Sequence, residues 1–272
     1  KDYSIRLEIL TALLLSGLVF KEYISNYNVA IKELEKLVKN YFDQDGFPLT
    51  RNPSDLIFFS KYLILCKECI KDAQQYVPEF LETIIDKNLI CIKNLSTPKN
   101  SIPLFNGGSE EDLEEFNKFI NALNYKSKDK KNMIGGISIF NIKNNIVFFD
   151  AGEPPKKSFS KSYQSGPLSF EYYLDGEKII TNCGFGSNIS PKAKLLSRLT
   201  SAQSTLTIND TSVTKFERNK IINKIFGNSI KNTFKVFNIN FVENEDHKKL
   251  IASHNGYEQN FGCLHKREIS IN

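Results

Sequence analysis

Asn124-Tyr125-Lys126-Ser127-Lys128-Asp129-Lys130-Lys131 divides the chain: apolar residues recur at helical spacing before it, and beyond it that period is gone. The stretch predicts an α+β chain of two domains, helical over 1–130 and β-rich over 131–272. Upstream, 3–20 and 27–42 read as helices, the first apolar nearly all round and so expected to be buried. A third helix is marked by Asn52 as N-cap and Pro53 at the first helical position. Pro78 opens a fourth, with Leu81, Ile84, Ile85, Leu89 and Ile92 on one face, and Ser109 with Asp112 opens a fifth. Downstream, strands are expected at 133–142, 145–150, 168–174, 177–183, 195–200, 203–209, 232–242, 248–256 and 262–271. Asp175-Gly176 is a tight hairpin signal, and the alternation changes phase between Val236 and Phe237, which predicts a bulge or bend. Antiparallel sheets packed as a sandwich follow from this spacing.

The 272 residues are 40% hydrophobic and 25% charged, which suits a globular chain able to bury a sizeable core. The net charge of +5 is unevenly spread. Residues 1–130 carry 17 Lys/Arg and 19 Asp/Glu (net −2), whereas 131–272 carry 19 and 12 (net +7). A basic β half favours an anionic partner; with no nucleic-acid motif present, charge alone does not point to nucleic acid. Five Cys form no disulfide framework. Cys66 and Cys69 spell C-x-x-C inside an apolar helical run without a second ligand pair, which favours core packing over metal or redox chemistry. The longest apolar run, Ile9 to Phe20, is too short to cross a bilayer, which takes about 20 residues.

Five local motifs, taken in order, resemble the heparinase II/III-like polysaccharide lyases. Asp45-Gly46 with Arg51 and Pro53 is similar to a D-G-x-x-x-x-R-x-P segment between helices of that family, and Leu104-Phe105-Asn106-Gly107-Gly108 to a later loop of the same domain. Gly166-Pro167-Leu168-Ser169-Phe170-Glu171, continuing to Asn182-Cys183-Gly184, resembles the start of the family's β domain. Arg198-Leu199-Thr200-Ser201-Ala202-Gln203-Ser204-Thr205-Leu206 resembles the strand after it, and Ser253-His254-Asn255-Gly256-Tyr257 with Leu264-His265-Lys266-Arg267 a later strand pair. The resemblance implies a partial (α/α) toroid followed by an antiparallel β-sandwich that is incomplete at its C-terminus. It also implies that both ends are cuts, with upstream helices missing and the apolar residues Leu10, Leu14 and Leu18 left exposed.

A lyase acting on a uronic-acid polymer must remove the C5 proton, stabilise the enolate and protonate the leaving oxygen at C4. The resemblance therefore makes Arg51, Tyr257 and His254 the catalytic candidates, and Asn106, Tyr163, Gln164 and Arg198 the substrate-binding ones. Each has a plainer reading: Arg51 paired with Asp45 or Asp55, Asn106-Gly107 as a turn, His254 and Tyr257 as the edge of a core. Relatives that hold a structural zinc use His and Asp where this chain has Gln164, Asn182 and Gln203, so neither metal nor other cofactor is expected; the three amides are expected to hydrogen-bond one another. Two functions remain open. One is β-elimination of an acidic polysaccharide, and the other a carbohydrate-binding or envelope protein that kept the fold but lost the catalytic set. The family implies the cell envelope or periplasm of a bacterium, while the unpaired Cys suit cytoplasm equally; the oligomeric state is left open.

Overall fold

The structure is a computed structural model that describes residues 2–127, 129–219, 221–223, 227–243 and 247–271. Lys128 of the dividing stretch and Asn272 of the last expected strand lie outside the described residues. The chain forms two compact units. One comprises Lys1–Pro48, Asp55–Lys93 and Glu114–Asp129, the other Leu49–Ser54, Asn94–Leu113 and Lys130–Asn272. Two short stretches of the expected helical half thus belong to the β unit, where the side chains of Arg51 and Asn106 both bond to Asp150.

The helical unit is built on α1 (Tyr3–Val19), α2 (Ile24–Tyr41), α3 (Pro53–Asp72), α4 (Glu79–Leu95) and α5 (Leu113–Ala122). The Asp2 carboxylate accepts hydrogen bonds from the Ser4 and Ile5 amides and so caps α1. Gly17 lets α1 meet α2 closely, since a Cβ there would lie 2.4 Å from the Tyr27 amide nitrogen. Only one face of α1 is buried, through Leu7, Leu10, Thr11, Leu14 and Gly17. Leu10 and Leu14 are therefore core, contrary to expectation, and the apolar residues left exposed are Ile5, Ile9 and Val19. The rings of Tyr41 and Phe59 stack at 4.2 Å. Cys66 is fully buried 3.5 Å from the Thr11 hydroxyl, and burial pushes its thiol up to about 11, so this half of the C-x-x-C is core packing. In the Asp43–Phe47 turn Asn88 donates to the carbonyl of Gly46, which occupies the left-handed region at φ 81°.

The β unit holds two antiparallel sheets. In the first, β1 (Met133–Ile134), β2 (Ile137–Ile142), β3 (Asn145–Asp150), β4 (Phe170–Leu174) and β5 (Glu177–Ile180) run in sequence order. Asp175 and Gly176 both have positive φ in the β4–β5 turn, as the two central residues of a type I′ hairpin require. The second sheet is β6 (Val236–Glu243), β7 (Lys248–His254) and β8 (His265–Ile271). The β6–β7 register shifts between Phe237 and Asn240, where Asn238 takes φ 54°, and this is the bulge that the phase change predicts. Phe140, Val147, Phe149, Ala151 and Leu168 pack with Leu250 and Ala252 in one buried cluster, so the two sheets form a sandwich.

Two expected strands are absent among the described residues. Residues 191–196 form a short helix, α6 (Pro191–Leu196), because Ser190 caps it by accepting from the Ala193 amide and Pro191 fits its first turn. From Gln203 to Asn209 side chains replace a ladder: Ser204 accepts from the Phe170 amide, and Thr205 donates to the Pro167 carbonyl at 2.6 Å. The apolar alternation of Leu206 and Ile208 belongs to an irregular segment held by such bonds.

Candidate functional site

Every candidate side chain named from the sequence belongs to the β unit. Asp150 closes the apolar strand β3 and is almost wholly buried, as is Arg51. Arg51 Nη2 lies 2.5 Å from Asp150 Oδ1 and Nη1 3.4 Å from Oδ2. The rest of the guanidinium donates to backbone, Nε to the Gly135 carbonyl at 3.0 Å and Nη1 to that of Glu153 at 3.1 Å. Asn106, held at φ 54°, donates to Asp150 Oδ2 at 3.1 Å, and the Gly152 amide donates to Oδ1 at 3.1 Å. Glycine at 152 is a steric requirement, because a Cβ there would lie 2.2 Å from Arg51 Nη2. Neither Asp45 nor Asp55 is the partner of Arg51; the carboxylate comes from ninety-nine positions downstream. Tyr163 is fully buried, and burial first, then the Asp150 carboxylate, raises its phenol far above the ordinary range.

A second cluster adjoins the first, because the Gly107 amide donates to Gln164 Oε1 at 2.9 Å. Gln164 Nε2 then donates to the carbonyls of Gly184 and Ser197, each at 2.8 Å, and Gln203 Nε2 to that of Ser197 at 2.7 Å. The same two amide nitrogens lie 3.9 and 3.7 Å from Cys183 Sγ. Asn182 stands apart, its Oδ1 accepting from the Ser204 amide and hydroxyl. The expected mutual bonding of the three amides is thus corrected: two converge on a carbonyl and a thiol, and the third serves another segment. Glu171 is buried and accepts from Tyr173, Thr181 and the Asn182 amide; burial raises its carboxyl despite those donors. Arg198 is fully buried and donates to the carbonyls of Tyr163, Asn228 and Ser160, with its guanidinium 4.0 Å from the Phe216 ring centroid. Its guanidinium fastens backbone, with no face left toward solvent.

In the third cluster the Gly256 amide donates to His254 Nδ1 at 3.0 Å, so the His254 proton sits on Nε2 and points at His265 Nδ1, 3.0 Å away. His254 and His265 are cross-strand partners on β7 and β8. Burial, then His265 and Arg267, lowers His254 to about 3, and burial, then Arg267, lowers His265 to about 4. Tyr257 is fully buried and donates its hydroxyl to the Leu206 carbonyl at 2.8 Å. His254 and Tyr257 thus share one buried cluster, their ring centroids 5.7 Å apart, while Arg51 belongs to the Asp150 network. No group of three or more His, Cys, Asp or Glu able to hold a metal occurs among the described residues.

Residues 128–272 match the family described as Heparinase II/III-like, C-terminal, which is more than half of the chain. This chain belongs to the heparinase II/III-like family. Solved structures agree in fold. A mutant of the heparan sulfate lyase HepC from Pedobacter heparinus superposes with TM-score 0.74 at 16% identity, over 98% of this chain and 44% of that one. A heparinase III does so with TM-score 0.71 at 14% identity over 98% and 45%, and the heparinase III-BT4657 gene product with 0.74 at 15% over 97% and 43%. The chain thus spans less than half the length of these relatives. No curated protein matches it in sequence.

Within this heparinase II/III-like frame the residue that sequence reading missed is Asp150. The signal was present: a carboxylate at the end of Ile146-Val147-Phe148-Phe149 must be paired if it is buried, and Arg51 lies in the stretch that resembles the family. His265, quoted only within a motif, is the other half of the His254 network. No helix among the described residues is long and apolar enough to cross a membrane.

Proposed function

We propose that the protein carrying this chain cleaves an acidic, uronic-acid-containing polysaccharide by β-elimination, and that this chain holds and orients the polymer. The family match over 128–272 carries the reading, and the net charge of +7 over 131–272 supports it. Such a lyase needs a base for the C5 proton, a positive or hydrogen-bonding group for the enolate and an acid for the C4 oxygen. Of the candidate residues, Tyr163 and Tyr257 are phenols raised by burial, and His254 is a buried, weakly basic imidazole. Arg51, His254 and Tyr257 act in this reading as positioning residues that fix the loops around the polymer. The groups that transfer protons then belong to the part of the relatives' length that this chain does not span. The relative named as a heparan sulfate lyase makes that polymer the first to test, and the family resemblance supports a place in the bacterial envelope.

The inward placement of His254 and Tyr257 favours a second reading, a polysaccharide-binding protein that kept the lyase fold. Incubating the full-length protein with heparan sulfate, hyaluronan, chondroitin and alginate separates the two. Elimination leaves a C4–C5 double bond, so new ultraviolet absorbance on any of these polymers supports the lyase. Binding without new absorbance assigns the protein to the second reading.

A further inference from the structure

Residues 178–209 contain Lys178, Lys192, Lys194 and Arg198 but no Asp or Glu. Lys178 pairs with Glu110, and Arg198 is buried on backbone carbonyls. The two remaining lysines lie on a closed loop. Its neck is drawn together by the Gly186 amide, which donates to Ser197 Oγ at 3.0 Å, and none of residues 187–196 is buried. Within the loop Ser190 and Pro191 start α6, which packs on the neck through Ala193: a Cβ on Gly186 would lie 2.8 Å from the Ala193 carbonyl oxygen and 3.1 Å from its Cβ. Each helical residue turns the chain by about 100°. With Ala193 and Ser197 facing the neck, Lys192, Leu195 and Leu196 therefore share the outward face at i, i+3 and i+4. Leu195 and Leu196 are 48% and 50% exposed, and Ile189, just ahead of the cap, is 81% exposed. Lys194 is turned to the side, its ammonium 5.8 Å from the centroid of the Phe185 ring.

We propose that this loop is a membrane-surface contact, in which Ile189, Leu195 and Leu196 enter the acyl boundary of an anionic bilayer while Lys192 stays at its phosphate groups. Three aliphatic side chains held outward on one short loop are unfavourable in water and call for an apolar partner. A lysine among them, on a stretch without a carboxylate, calls for an anionic one. A sugar polymer supplies anions and hydroxyls but nothing to receive aliphatic tips. An anionic lipid surface supplies both, with acyl chains directly beneath a layer of phosphates. Such a contact is shallow and reversible and needs no spanning helix; none long and apolar enough occurs among the described residues. The contact goes beyond the polysaccharide reading and is tested without substrate, so either can fail alone.

The test is co-sedimentation of the full-length protein with vesicles of phosphatidylcholine alone and of phosphatidylcholine mixed with phosphatidylglycerol, at low and at physiological salt. The unaltered protein should prefer the anionic vesicles and lose part of that preference as salt rises. Ile189→Ser and Leu195→Ser should each weaken partitioning about tenfold. Lys192→Gln should weaken it about fivefold on anionic vesicles and leave it unchanged on neutral ones. Tyr76→Ser, which alters a side chain as exposed as Ile189, should have no effect. Because the altered side chains are exposed, all four variants should melt with the unaltered protein. No preference for anionic vesicles, partitioning that survives both Ile189→Ser and Leu195→Ser, or an equal loss in Tyr76→Ser overturns the proposal. So does a change of oligomeric mass in Ile189→Ser, which would give the loop to a second copy of this chain, or loss of polysaccharide affinity in Lys192→Gln without vesicle binding, which would give it to the polymer.

Discussion

Replacing Arg51 by Ala should destabilise the protein far more than it changes any contact with substrate. The substitution removes both ion-pair hydrogen bonds to Asp150 and leaves a carboxylate that is 2% exposed with only the Asn106 and Gly152 donors. Breaking a buried pair from one side costs about 3–5 kcal/mol, because the remaining charge stays buried. For a domain of this size that lowers Tm by roughly 6–20 °C. Arg51 also sits at φ 62°, a conformation that strains Ala as it strains Arg. Arg51→Gly relieves that strain and should recover about 1 kcal/mol relative to Ala and no more, which separates backbone from charge. Gly152→Ala keeps every charge but drives a methyl into the guanidinium, and should cost about 1–3 kcal/mol. Thermal and urea denaturation read all three. A stable Arg51→Ala protein that loses only turnover would refute the reasoning and return Arg51 to the substrate.

Two further outcomes are expected. His254 and His265 are held neutral, at about 3 and about 4, below their ordinary value of 6.5. The unfolded chain therefore binds more protons between those limits, so stability is complete above pH 6.5 and falls as pH drops toward 4, by up to about 1.4 kcal/mol per pH unit for each histidine. Denaturation across that range should show a flatter slope in His254→Gln, and an unchanged slope would remove the pair from the account. The convergence of Gln164 and Gln203 beside Cys183, at 3.9 and 3.7 Å, is close to the ~3.6 Å between nitrogen and sulfur ligands on a tetrahedral zinc. Gln164→His with Gln203→His should create zinc binding through Cys183, with Asn182 left as it is. Elemental analysis checks this: zinc in the unaltered chain, or none in the double variant, would contradict it.

Much of the fold was legible because local chemistry and tertiary packing agreed. Asn52-Pro53 set the start of α3, Asp175-Gly176 fixed a hairpin, and the broken alternation at Val236-Phe237 marked a real bulge. Where the reading failed, a local bond outweighed a periodic pattern: Ser190-Pro191 turned an expected strand into α6, and the side chains of Ser204 and Thr205 took the place of a ladder. Leu10 and Leu14 were expected to be exposed because the resemblance implied missing upstream helices that would cover them, whereas they face the core formed by the helices present. The functional residues were the least legible. Composition and motif could name Arg51, His254 and Arg198, but their partners are Asp150, a cross-strand His265 and three backbone carbonyls, which only the folded chain brings into reach.

The central claim is β-elimination, and product mass tests it most directly. The full-length protein is incubated with a defined heparan sulfate oligosaccharide and the fragments are weighed by mass spectrometry. Elimination breaks the C4–O bond without consuming water, so the two fragment masses should sum to that of the substrate, with unsaturation on one of them. Fragments that together gain one water would show hydrolysis, and an intact oligosaccharide recovered in complex with the protein would show binding alone. Either result would contradict the account.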